Sequence, residues 1–170
     1  DELLAVTDEQ GTALGVVERA AVRPLGIATR AVHLLARSPD GRHWVQKRAL
    51  NKANDPGLWD TLMGGLVSAD ESIELALERE TWEEAGLRLA ALDALRHRGE
   101  FWVRRPLAEG YMVERTVVYE AVVPAALEPV NQDGEVQRFE CVDEATLRER
   151  LLAGEFTLEA ALALVLVLGR

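Results

Sequence analysis

The 170-residue chain is short of the side chains that make the commonest recognisable sites. It has one cysteine, Cys141, and three scattered histidines, His33, His43 and His97. One thiol rules out an intrachain disulfide and a cysteine-based zinc site. His33 lies in an apolar stretch and reads as a satisfied strand histidine. Basic residues are also few: 19 Lys and Arg stand against 29 Asp and Glu, a formal net charge of −10. That balance excludes a general nucleic-acid binder, whose footprint would be basic. A phosphate-bearing ligand would therefore need a metal or a small local Arg/Lys cluster. Long apolar runs are missing too. LEAALALVLVLG (158–169) is too short for a bilayer core of roughly 30 Å, and it reads as a buried C-terminal helix. With no visible signal peptide, the expectation is a cytoplasmic protein without a membrane partner. What remains is the composition of an ordinary globular protein, expected as one domain over 1–170 with residues 1–25 as an N-terminal strand extension.

Along the chain, 3–8 and 13–19 read as strands around Glu9, Gln10 and Gly11. Further strands are expected at 29–36 and 43–48, separated by the SPDGR turn, followed by a loop over 49–60. TLMGGLV (61–67) is a short strand running into a glycine pair. A helix follows, with start signals at Asp70 and Ser72 and a stop at Gly86. Strands are expected near 88–103 and 112–123, then a polar NQDGE loop, a strand at QRFECV, and helices near 143–153 and 157–168. This order implies α+β or a mixed sheet between helices.

The helix before Gly86 carries carboxylates on its apolar side. At about 100° per residue, Ala76 and Leu77 fall within roughly 60° of Ile73, while Glu80 and Glu84 fall within about 20° and Glu83 about 80° away. Leu75, Glu78 and Trp82 lie opposite. Burying unpaired carboxylates is costly, so they shift pKa, find a partner or bind a cation. The i, i+3, i+4 spacing brings the three together. Two readings stay open from geometry: a hard divalent ion held by oxygens, or a buried ion-pair cluster with Arg79.

The stretch GGLVSADESIELALERETWEEAGL resembles the Nudix box, matching it at Gly65, Glu71, Arg79, Glu80, Glu83, Glu84, Gly86 and Leu87. Thr81 stands where an aliphatic residue is usual. The resemblance implies an α/β/α sandwich with a mixed sheet and hydrolysis of a diphosphate bond in a small X–diphosphate. Glu80, Glu83 and Glu84 would hold Mg²⁺ or Mn²⁺, with Glu80 or Glu84 also activating water. Arg79 would fix a carboxylate's geometry, and Gly64 and Gly65 would let the backbone pass close to the site. Glu71 would brace the loop–helix junction, with plain helix capping as its other reading, and Gly86 is structural. Glu135, in the NQDGE loop, would add a metal ligand or base; a solvated loop acid is its alternative.

Two wider resemblances concern the substrate. VQKRALNKANDPGLWDTLMGG is similar to a segment of isopentenyl-diphosphate isomerases and related hydrolases, which implies Lys47, Arg48 and Lys52 near the diphosphate. Such isomerases use a cysteine just after the GLWD-like segment, where this chain has Thr61 and Leu62. Residues 26–36, the basic loop, the box and 129–165 together resemble the Nudix group associated with thiamine pyrophosphokinase, implying thiamine diphosphate or its oxidised forms as substrate. Trp102 could then stack on a heteroaromatic ring and Arg104 could take a phosphate, near Arg105 and Tyr111, with a core tryptophan and solvated arginines as the other reading. The alternatives are a nucleoside-diphosphate or nucleotide-sugar pyrophosphohydrolase, an isomerase, and a Nudix-fold binding module without catalysis. Loss of box glutamates would mark the last, and none is lost. Leu75 and Trp82 face either another layer of the fold or a second subunit, as in a homodimer.

Overall fold

The computed structural model describes residues 2–169. It begins with a hairpin, β1 (Leu3–Thr7) and β2 (Ala13–Glu18). The Asp8 carboxylate fixes its turn by accepting from the N–H groups of Gln10 (2.9 Å) and Thr12 (2.8 Å). The expected strand extension over 1–25 is corrected here: residues 19–25 form a helix, α1 (Arg19–Leu25), closed by Gly26 in the left-handed conformation. Pro24 sits in its last turn and hid it, because an internal proline argues against a helix. Tertiary packing supplies the difference, since Val22 is fully buried.

Next come β3 (Ala28–Arg37), β4 (His43–Arg48), β5 (Trp59–Asp60) and β6 (Met63–Leu66), then α2 (Ile73–Ala85). After a single 3-10 turn at Leu89–Ala91 follow β7 (Asp93–Leu107), β8 (Gly110–Val122), β9 (Val136–Val142), α3 (Glu144–Leu152) and α4 (Leu158–Leu168). The expected loop over 49–60 therefore yields its last two residues to β5. The expected strand near 88–103 starts only at Asp93.

The main sheet runs β5–β4–β3–β8–β7, with β6 also on β3 and β9 also on β4. β3 and β8 pair in parallel and the other pairs are antiparallel. The mixed sheet lies between helices, as the sequence led us to expect. Central strands covered on both faces need apolar residues at successive positions, and AVHLLA in β3 supplies them. Val32, Leu34 and Ala36 pack toward α2 with Ala76, Leu77 and Ala85. Leu35, with Val45 and Val118, packs on the other side against Leu147 of α3 and Ala160, Ala163 and Leu164 of α4. A fully buried leucine contributes about 1.5–3 kcal/mol, so the first layer fixes where α2 lies and the second where α3 and α4 lie. The helix expected to be buried is α4, and it buries one face through Ala160, Ala163, Leu164 and Val167 while Leu158, Leu162 and Val165 stay exposed; no helix among the described residues is long and apolar enough to cross a membrane.

Both ends of α2 are specified locally. The Ser72 hydroxyl accepts from the Leu75 N–H (3.1 Å) at the start. At the other end Gly86 takes φ 63°, and a methyl group there would lie 2.5 Å from the Val130 carbonyl oxygen. Leu75 and Trp82 stand exposed on the outer face, where the Arg88 guanidinium stacks on Trp82 at 4.0 Å.

Candidate active site

The inward carboxylates of α2 border a cavity of about 390 Å³. Glu84 is 2% exposed. Its Oε2 accepts from Gln46 Nε2 (2.7 Å) and from the Gly64 N–H (3.1 Å). Burial lifts its pKa well above the usual carboxylate range, and the charges of Glu80 and Asp60 push the same way. Glu80, one turn earlier, is raised to about 7, first by burial, with Arg79 opposing and Glu83 and Glu135 adding. Glu83 is half-exposed at the rim.

Arg79 gathers this group. Its Nε and Nη2 grip the two Glu71 oxygens at 2.6 and 2.8 Å. Its Nη1 donates to Glu80 (2.8 Å) and Glu83 (3.1 Å), and Nη2 also reaches the Leu66 carbonyl (3.1 Å). The bidentate pairing holds the Glu71 carboxyl below its ordinary range. Glu71 therefore does more than cap: Ser72 is the N-cap, and Glu71 ties the loop to α2 while accepting from the Ser68 N–H (3.1 Å). The glycine pair is needed for close approach. A methyl on Gly65 would overlap the Glu80 carboxylate, and one on Gly64 would lie 2.5 Å from the His33 ring. His33 is satisfied, as expected. Thr61 donates to the Met63 carbonyl (2.8 Å), so His33 Nδ1 is the donor in its 2.9 Å bond to Thr61 Oγ1.

The opposite wall carries cations. Arg48 pairs with Asp60 (3.2 Å) and donates to the backbone carbonyls of Asn54 (2.8 Å) and Asp55 (3.1 Å). Lys52 forms an ion pair with Glu135 across the cavity mouth. The structure thus brings Glu80, Glu83, Glu84, Glu135, Arg79, Arg48, Lys52, Gly64 and Gly65 to one cavity.

Three expected substrate contacts lie elsewhere. Successive strand residues point to opposite faces, so Gln46 and Arg48 turn inward while Lys47 turns out and sits over the Trp59 ring (5.4 Å). On β7, Arg105 and Leu107 line the cavity, whereas Trp102 and Arg104 alternate to the other face, with Arg104 beside the Trp102 ring (5.6 Å). The roles expected of Lys47, Trp102 and Arg104 are corrected accordingly. The sequence reading missed Gln46, Asp60, Arg23, Glu114 and Glu159. Strand parity within HWVQKR would have found Gln46, since it shares a face with Arg48. The rest depend on long-range contacts that carry no local signature.

These residues fit a hard divalent cation. Among the cavity-lining side chains, carboxylates outnumber Lys and Arg ten to six. Two of them, Glu80 and Glu84, are buried where a carboxylate is costly without a nearby cation. Among the described residues no three acidic or imidazole groups yet converge at ligand spacing. Arg79 explains this, because Nη1 lies between Glu80 and Glu83 and draws both toward itself.

Comparison with known proteins agrees with this geometry. The NUDIX domain family model matches residues 28–162. The chain is 40% identical over 105 residues to an uncharacterized Nudix hydrolase of Pseudomonas aeruginosa, spanning 62% of this chain and 60% of that protein. It is 35% identical to one of Streptomyces coelicolor over 92% of this chain and 82% of that one. An isopentenyl-diphosphate Delta-isomerase of Leifsonia xyli is 32% identical over 89% and 82% of the two chains. A crystal structure from Deinococcus radiodurans superposes with a TM-score of 0.75 over 97% of both chains at 26% identity.

Proposed function

The chain belongs to the Nudix hydrolase family, whose members act on pyrophosphate bonds, and on that premise we propose that it hydrolyses a small X–diphosphate with Mg²⁺ or Mn²⁺. The observation that carries this reading is the meeting of Glu80, Glu83 and Glu84 with the cations Arg48 and Lys52 at one cavity. A diphosphate is kinetically inert because its charge repels nucleophiles. A divalent ion held by Glu80, Glu83 and Glu84 would neutralise phosphate oxygens and acidify a water molecule. Arg79 holds Glu80 and Glu83 until an ion competes for them, and Gln46 and the Gly64 N–H orient Glu84. Arg48 and Lys52 attract the diphosphate to the opposite wall. Glu80 or Glu84 accepts the proton of the attacking water. One P–O bond is broken and one formed, giving the X-monophosphate and orthophosphate. Glu135 joins the acidic set from the loop side once Lys52 turns to the substrate.

For the group X, thiamine diphosphate draws on the resemblance and on the pre-box cations, and no longer on Trp102, which offers the cavity no stacking face. A second reading, isomerisation of isopentenyl diphosphate, is favoured by the Leifsonia relative. The site argues against it. Thr61 supplies a hydroxyl engaged with His33 and Met63, and Cys141 lies in β9 opposite Trp44, away from the cavity lining. Phosphate release and double-bond migration, measured on a panel of diphosphates with Mg²⁺ and with EDTA, test both. Metal-dependent phosphate release supports hydrolysis, and migration without release overturns it.

A further inference from the structure

The hairpin and α1 lie outside the matched domain, yet Glu2, Arg19 and Arg23 line the cavity. The segment is tied down at several points. The Ala69 N–H donates to the Leu3 carbonyl (2.9 Å) and the Ser68 hydroxyl to Glu2 (3.1 Å). Arg23 Nη2 donates to Glu114 (3.1 Å), whose carboxylate also accepts from Thr29 Oγ1 (3.2 Å). Beside this pair stands a second one, in which Arg105 meets Glu159 (3.3 Å) and, more loosely, Asp55 (3.7 Å).

These two ion pairs carry an unfinished hydrogen-bond inventory. Arg23 Nη1 and Arg105 Nε are buried and have no acceptor among the described residues. Buried donors are almost always paired, so a ligand acceptor that the two side chains turn to meet would complete both. Their charge is already offset by Glu114, Glu159 and Asp55, so a further anion would meet three carboxylates there. An alkyl group would satisfy none of these polar atoms. A flat aromatic group would meet no Phe, Tyr or Trp among the described residues that line the cavity, only the His33 ring and guanidinium planes already engaged with Thr61 and with carboxylates. Hydroxyl groups fit, since each can accept from an arginine and donate to a carboxylate.

We infer that the N-terminal segment completes the substrate pocket, where Arg23, together with Arg105, selects a neutral, hydroxyl-rich group such as a sugar or polyol on X. This inference rests on the X–diphosphate hydrolase reading for where the diphosphate lies. Two probes carry the same diphosphate on different groups: glucose 1-diphosphate and isopentenyl diphosphate. Binding of their non-hydrolysable methylene-bridged analogues to the full chain with Mg²⁺ is measured by calorimetry, alongside turnover of the natural forms. The sugar probe should bind at least about tenfold more tightly than the alkyl probe. Arg23→Met and Arg105→Met should each remove most of that preference while leaving alkyl binding within about twofold. The pair Arg23→Met with Glu114→Gln, which strands no carboxylate, should behave like Arg23→Met. Equal affinity for the two probes in the wild type, or equal weakening of both in the variants, overturns the inference. A sugar preference with no diphosphate hydrolysed would sink the hydrolase reading and leave this one standing; hydrolysis without preference does the reverse.

Discussion

Replacing Glu80 by Gln in the metal-free protein should make it more stable at neutral pH. The Glu80 side chain is 13% exposed and its folded pKa is raised from 4.5 to about 7. Between those values the unfolded chain has released the proton while the folded protein still holds it. Folding therefore takes up a proton, and stability falls as pH rises through that window. At about 1.4 kcal/mol per unit, roughly 2.5 units amount to about 3 kcal/mol. Below pH 4.5 both states are protonated and the cost disappears; above pH 7 it is constant. The substituted glutamine does not titrate, and its amide oxygen still accepts from Arg79. Calorimetric melting in EDTA should show variant and wild type alike near pH 4, with the variant ahead by about 6–12 °C at pH 8, given the chain's size. Mg²⁺ should close the gap, because it binds the ionised wild-type site. Parallel melting curves across the pH range, or a wild type that gains on the variant as pH rises, would refute this account of the site's electrostatics.

Other outcomes follow from the same contacts. With Mg²⁺ present, Glu80→Gln and Glu84→Gln should each lower kcat by about 100-fold or more without loss of fold, and near-wild-type turnover in both would remove them from the mechanism. Arg48→Ala and Lys52→Ala should raise KM for any diphosphate substrate about tenfold while Lys47→Ala leaves it unchanged; the opposite ranking in steady-state kinetics would contradict the strand parity of β4. Gly65→Ala should cut turnover severely by pushing the Glu80 carboxylate aside, which full activity in a folded variant would disprove. Leu77→Ala, in the core under α2, should cost about 2–5 kcal/mol in denaturant unfolding.

The legible part of this molecule was the part written within a few residues. The helix from Ser72 to Gly86 carries its cap, its stop and its carboxylate spacing in one stretch, so element and chemistry were readable together. The strand at 43–48 was also found at its observed bounds. Which side of that strand faced the site was a question of parity, and charge alone led to Lys47 beside Arg48. The same happened on β7, where aromatic chemistry drew attention to Trp102 although Arg105 has the inward parity. α1 was hidden by Pro24, whose cost is overcome by burying Val22. Glu114 and Glu159 find their partners far away in the chain, Arg23 for the one and Arg105 for the other, so nothing near either one announces its pairing.

Arg79 has a consequence for how the protein would handle its ion. In the metal-free protein its guanidinium already occupies the electrostatic role between Glu80 and Glu83. An arriving ion must compete with a tethered charge of the same sign, always present and needing no diffusion. Such competition weakens apparent affinity and keeps exchange reversible. A divalent ion bound as proposed would therefore exchange with its surroundings instead of being stored through folding.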